Sequence, residues 1–148
     1  MAARKIWFDG GCRPNPGAME TAVVTRGATW FDPHAGNGDS NRAEWCALLA
    51  AVALAQTLGD RDVILCGDSA FVLDQIAGRT AIHPATADCF ARYRQVIVGF
   101  ERVRLRHVGR SQNLAGIALE YLQAGLAPPQ PFYTGTLATR PGSGMSGA

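Results

Sequence analysis

Between Asp62 and Gly67 the chain reads Asp-Val-Ile-Leu-Cys-Gly, with an apolar run that no polar residue interrupts. An alternating strand leaves one face to water; a run like this is the pattern of a central strand covered on both faces. It ends at Asp68, and Ser69 to Ala77 then reads as a helix closed by Gly78. A buried strand feeding a helix points to α/β packing, and the rest of the chain is read around it.

Upstream, Lys5 to Phe8 is a short apolar strand ending at Asp9, followed by Gly10-Gly11-Cys12-Arg13-Pro14-Asn15-Pro16-Gly17, a stretch dense in turn formers and expected to bend sharply in the open. Thr21 to Arg26 and Ala28 to Phe31 are β-rich runs split by Gly27, which makes the opening an antiparallel meander. Arg42 to Leu58 predicts a mostly buried helix, opened by Ser40 or Asn41 and closed at Gly59. Pro84 starts a helical run to about Phe100, Arg102 to Val108 alternates as a half-exposed strand, and Asn113 to Ala124 is a last helix. The expected order is β-β-β-α-β-α-α-β-α: a five-stranded mixed sheet, antiparallel meander then parallel strands, flanked by helices. Residues 1–127 are expected to form one domain. Structure is expected to run out beyond Gly125, with 128–148, rich in Pro, Gly, Ser and Thr, as a flexible tail.

Composition narrows the function classes. At 148 residues and 47% hydrophobic the chain suits a single domain with one sizeable core. A formal charge of +2 is too small to identify a nucleic-acid binder by itself, so any basic footprint has to be local. Cys12, Cys46, Cys66 and Cys89 form no CxxC pair, which fits reduced thiols in a cytoplasmic protein better than disulfides or zinc ligation. The N-terminus meets acid and glycine too soon for a signal peptide, and the apolar stretch 47–55 is too short to span a bilayer, so no membrane partner is expected. Nothing points to a protein partner, and a monomer is expected.

Three acids fall at element boundaries: Asp9 at the end of the first strand, Glu44 in the first turn of the first long helix, and Asp68 at the end of the apolar strand. If the first and fourth strands are neighbours, Asp9 and Asp68 stand side by side at their C-terminal ends, where open α/β sheets bind ligands. Glu44 can point at the same spot. Converging carboxylates are what Mg²⁺ asks for, and a pair of ions about 3.5–4 Å apart can drive phosphodiester hydrolysis. Each acid also has a plainer use. Asp9-Gly10 is a common turn pair, Asn41 with Glu44 makes a capping box, and Asp68 can cap the helix after it. The combination favours the metal reading.

The motifs carry a resemblance. Asp9-Gly10-Gly11-Cys12 with Asn15-Pro16-Gly17, then Asn41-Arg42-Ala43-Glu44, then Gly67-Asp68-Ser69, in this order, resemble type I ribonuclease H from about Lys5 to about Ala124. The resemblance implies hydrolysis of the RNA strand of RNA–DNA hybrids with two Mg²⁺ or Mn²⁺ ions. It implies that Asp9 bridges both ions, that Glu44 serves one and contacts the scissile ribose, and that Asp68 holds the ion that activates water. Strand choice would rest on RNA's 2′-hydroxyl. It also implies that Cys12, Asn15, Asn41 and Ser69 touch the hybrid; their alternative use is turn and cap chemistry. His107, six residues before Asn113, resembles the family's mobile histidine and is the candidate proton shuttle or product-release residue.

The sequence departs from the family pattern at two points. Family members usually carry a fourth acid four residues after that asparagine, where this chain has Ile117. Glu120, one turn on, is the candidate compensating acid. Without compensation the water-activating ion loses a ligand, and the alternative function is an impaired domain that binds hybrid or duplex RNA without efficient cleavage. A protein-interaction domain that has lost nucleic-acid function is a third class, against which the intact acids argue. Second, the basic tryptophan-containing helix that some members insert is absent or reduced to residues 84–100, with Arg92 and Arg94. Arg102, Arg104 and Arg106 share one face of the last strand and are either phosphate contacts or solvated charges that discourage edge pairing. Trp7, Trp30 and Trp45 sit in apolar patterns and are expected in the core.

Overall fold

A computed structural model describes residues 2–136. The apolar run sits where its composition requires: β5 (Asp62–Gly67) lies between β1 (Arg4–Cys12) and β6 (Arg102–His107), parallel to both. Val63 and Leu65 on one face and Cys66 on the other are almost fully buried, which accounts for the missing alternation. β1 continues antiparallel into β2 (Gly17–Thr25) and β3 (Ala28–Asp32). Arg26 and Gly27 both adopt positive φ between β2 and β3, the backbone that a two-residue hairpin turn needs. All five expected strands are present.

Two short strands were not expected. β4 (Asn37–Gly38) pairs with the start of β2, and β7 (Phe132–Thr134) adds parallel to β3, giving the order β6-β5-β1-β2-β3-β7 with β4 off the path. Order therefore continues past Gly125, contrary to expectation. Tyr133 packs its ring on Trp30 at 5.5 Å between centroids, and Thr29 N–H donates to the Pro131 carbonyl at 2.9 Å. The remainder of the expected flexible tail, 137–148, lies outside the described residues. The bend after β1 is also shorter than expected: Gly10 to Cys12 stay in the strand, in register with Thr21 to Met19.

Helices cover both faces. α1 (Ser40–Thr57) buries an apolar face on β1, β2 and β5, and α2 (Ala70–Ile76) and α3 (Ala87–Val96) complete that layer. Trp45 lies at its centre, edge-on to Phe90 and Tyr93. On the other face α4 (Leu114–Gln123) sets Ala115, Ala118 and Leu119 against Ala22, Val24, Trp7 and Phe31. The start of α1 differs from expectation. Its cap is Asp39, whose carboxylate accepts from Arg42 N–H at 2.8 Å. Ser40 is instead held by Asn15, so neither Ser40 nor Asn41 opens the helix. The predicted 84–100 run is α3 flanked by short 3₁₀ turns at Pro84–Thr86 and Ile97–Gly99.

Candidate active site

β1 outlasts β5. Their parallel pairing ends at Trp7 opposite Cys66, and Asp9 and Asp68 stand just past it on adjacent strands. Glu44 joins them because α1 presses onto β1 so closely that a Cβ on Gly10 would lie 2.1 Å from the Ala43 carbonyl oxygen. At that distance the Gly10 N–H donates to Glu44 Oε1 at 2.5 Å. One carboxylate oxygen of each acid falls within 4.8 Å of the other two. The expected convergence is present. Glu44 is therefore turned toward β1 and is not the partner of an Asn41 cap.

Asp68 has its own restraint. Asn113, fully buried at the start of α4, donates from Nδ2 to Asp68 Oδ2 and to the Phe8 carbonyl, both at 3.0 Å, while its Oδ1 accepts from Ala115 N–H at 3.1 Å. One amide thus caps α4, closes the strand end and aims an acid. Sequence reading used Asn113 only as a spacing mark, because nothing local distinguishes a cap from a cap that also reaches across the sheet. The cap of α2 is Ser69, whose hydroxyl accepts from Val72 N–H at 3.4 Å, so Asp68 is free of that duty.

The electrostatics are those of clustered, poorly hydrated carboxylates. Asp9 and Glu44 are 6% and 8% exposed, which removes most of the water that would stabilise a carboxylate. Burial, and then the neighbouring Asp68, raise the Asp9 carboxyl well above the ordinary carboxylate range. Burial, and then Asp9, raise Glu44 further still, against the Gly10 N–H that lowers it. Both carboxyls therefore hold their protons more tightly than exposed ones would. Three clustered hard oxygen donors with one backbone N–H as compensation are a fitting donor set for a divalent cation.

The acids open into a cleft of about 270 Å³ between the start of α1 and α4. Asn41 and Ser69 line it, as does Glu120; Ile117 is half-buried and does not. Gly116 and Gly11 leave the wall without side chains near Asp9. Arg110 also lines the cleft, lies 3.9 Å from Glu120, and lowers the Asp9 pKa through its charge, whereas Glu120 raises it. Sequence reading passed over Arg110, since an arginine in a polar loop carries no signal of where it points. Two expected contact residues, Cys12 and Asn15, and the candidate proton-shuttle or product-release residue His107 stand outside the lining. The Cys12 thiol donates to the Gly38 carbonyl at 3.0 Å, Asn15 pairs with Ser40, and His107 is exposed at the end of β6.

A mixed sheet carrying acids at the ends of two adjacent parallel strands, with a third delivered by the helix that crosses them, defines the ribonuclease H-like class of α/β domain. A family model described as reverse transcriptase-like matches residues 7–119. The chain belongs to that family, the type I ribonuclease H family. It is 31% identical over 123 residues to ribonuclease HI of Halobacterium salinarum, covering 76% of this chain and 60% of that protein. A crystal structure of ribonuclease H1 from that archaeon superposes with a TM-score of 0.71 at 30% identity, over 77% of this chain and 91% of that one. The N-terminal ribonuclease H domain of a Mycobacterium tuberculosis protein, solved as a maltose-binding-protein fusion, gives 0.65 at 27% identity over 76% and 86%. LC11 ribonuclease H1, solved in complex with an RNA/DNA hybrid, gives 0.67 at 25% over 74% and 88%. The chain spans 60% of the Halobacterium protein and 32% of the bifunctional mycobacterial one. No described helix is long and apolar enough to cross a membrane.

Proposed function

We propose that this protein hydrolyses the RNA strand of RNA–DNA hybrids with the help of divalent cations, Mg²⁺ or Mn²⁺. The observation that carries the reading is the convergence of Asp9, Glu44 and Asp68 within 4.8 Å in a cleft open to solvent. Bound there, a pair of cations supplies an activated water and neutralises charge on the phosphate being cleaved. The chain's own residues hold and aim the donors: Gly10 N–H fixes Glu44, and Asn113 fixes Asp68. Asn41 and Ser69 offer polar atoms along the wall for the hybrid's backbone and 2′-hydroxyls. Cys12 and Asn15 contribute by shaping the loop that meets α1, and His107 takes part from outside the cleft in proton transfer or product release.

The experiment is cleavage of an end-labelled hybrid with Mg²⁺ or Mn²⁺. Absence of cleavage, or cleavage that survives Asp9→Asn, would sink the proposal.

A second reading concerns Ile117. Because Glu120 lines the cleft and acts electrostatically on Asp9, it stands in for the acid missing at 117 once the Arg110 pair opens. Glu120→Gln then weakens Mn²⁺ binding measured calorimetrically as well as cleavage. Equal Mn²⁺ affinity in both forms leaves the three acids alone and favours a domain that binds hybrid with little turnover.

A further inference from the structure

The face of the sheet on which α4 packs is only partly covered. α4 lies over β1, β2 and β3, whereas the helices packed on β5 and β6, α1 and α2, sit on the opposite side with Val63, Leu65, Val103 and Leu105. On the α4 side, the register sets Ile64 between Lys5 and Arg104, and Cys66 between Trp7 and Arg106. Ile64 and Cys66 are nonetheless only 8% and 1% exposed. Long cationic side chains can bury their stems on such a surface and keep their charges in water. Burial raises the Cys66 thiol's pKa, and the charges of Arg106 and Lys5 pull it back.

The pairing of these cations is uneven. Arg104 is bound to Asp62 at 3.4 Å, but Lys5, Arg102 and Arg106 have no ion-pair partner among the described residues and all three are exposed. Arg102, Arg104 and Arg106 repeat every second residue along β6, about 6.6 Å apart, comparable to the step between successive phosphates on one nucleic-acid strand. β6 then runs through His107 into the turn Arg110–Gln112, whose Arg110 lines the acidic cleft. The unpaired charges of β6 therefore run toward the catalytic acids, with Lys5 beside them on β1, two strands across.

We propose that Lys5, Arg102 and Arg106 form a track for the phosphate backbone of nucleic acid, holding the flank of the substrate that extends beyond the cleft along β6. The proposal rests on the nucleic-acid reading of the cleft and adds to it a site for grip outside the chemistry. Most arginines elsewhere are ion-paired, so the unpaired cations are concentrated on this half-face, on the side of the edge strand that runs toward the cleft.

The test is fluorescence anisotropy of a labelled RNA–DNA hybrid long enough to reach along β6, with EDTA present, titrated over a range of salt. Each lost phosphate contact lowers the slope of log affinity against log salt by about one. Arg102→Gln/Arg106→Gln lowers it by about two, Arg102→Gln alone by about one, and Arg102→Lys/Arg106→Lys restores it. Arg26→Gln/Arg79→Gln removes the same net charge from the β2–β3 turn and from the segment after α2, away from β6, and leaves the slope unchanged. Equal slopes for wild type and Arg102→Gln/Arg106→Gln overturn the track, and if the wild type still cleaves hybrid the nuclease reading stands without it. If the wild type does not cleave but the slope falls as stated, the track holds and the nuclease reading fails. The exposed single variant keeps the measurement available should the double variant not fold.

Discussion

Asn113→Ala removes one small side chain and cuts three connections, so its cost can be worked from the structure. Loss of the α4 cap costs about 1 kcal/mol. Loss of the Nδ2 bond to the Asp68 carboxylate costs about 1.5–3 kcal/mol, and leaving the buried Phe8 carbonyl unpaired costs about 1–3 kcal/mol. The bonds share one side chain and are not fully additive, so we expect ~3–5 kcal/mol in total. In a chain of this length that lowers Tm by ~10–15 °C. The assay is thermal unfolding by circular dichroism in EDTA. With Asp68 no longer aimed, Mn²⁺ affinity measured by calorimetry falls by about tenfold or more. Asn113→Asp sharpens the test: it keeps the cap oxygen but turns a carboxylate on Asp68 and the Phe8 carbonyl, and it recovers stability only on acidification. A loss below about 1 kcal/mol for Asn113→Ala, or full stability of Asn113→Asp at neutral pH, refutes the reasoning.

Asp9 and Glu44 have raised pKa values in the folded state, so folding binds protons that the unfolded chain has released. Their stabilising contribution is complete below the ordinary carboxylate value near ~4 and is lost as pH rises through the folded values. Melts in EDTA should therefore show Tm falling with pH, the fall should be reduced in Asp9→Asn, and metal at ~100 times Kd should restore ~2.7 kcal/mol to the wild type; a flat pH profile contradicts this. Gly10→Ala drives a Cβ into the Ala43 carbonyl and should cost ~3 kcal/mol or more while displacing Glu44, seen as a lower Tm together with lost Mn²⁺ binding. Ile117→Asp restores the acid that the family pattern places there. It should raise kcat/KM on hybrid at limiting Mn²⁺ about tenfold, some 1.4 kcal/mol, and no gain would mean that position 117 does not reach the ions.

The sheet was legible because its signals are local. An apolar run, a positive-φ pair after β2 and alanine-rich helical spacing act over a few residues, and Asp9, Glu44 and Asp68 sit at boundaries those signals mark. Other features had no local signal. β7 is three exposed residues that form a strand only because β3 offers an unpaired edge and Trp30 a ring to pack on. The cap of α1 was read one or two residues late, since Asp39, Ser40 and Asn41 are all competent caps. Asn15, from a distant loop, occupies Ser40 and leaves Asp39 to accept from Arg42.

By itself the sequence determined the order of elements and which acids lie at their ends, because periodicity and turn chemistry are properties of neighbouring residues. Only the tertiary structure decided that Gly10 lets α1 close enough for Glu44 to reach β1, that Asn113 rather than a helix cap answers for Asp68, and that Arg110 and Glu120 line the cleft beside the acids. Those outcomes depend on which way side chains point across 30 to 100 residues of chain, and that direction is set by packing between layers.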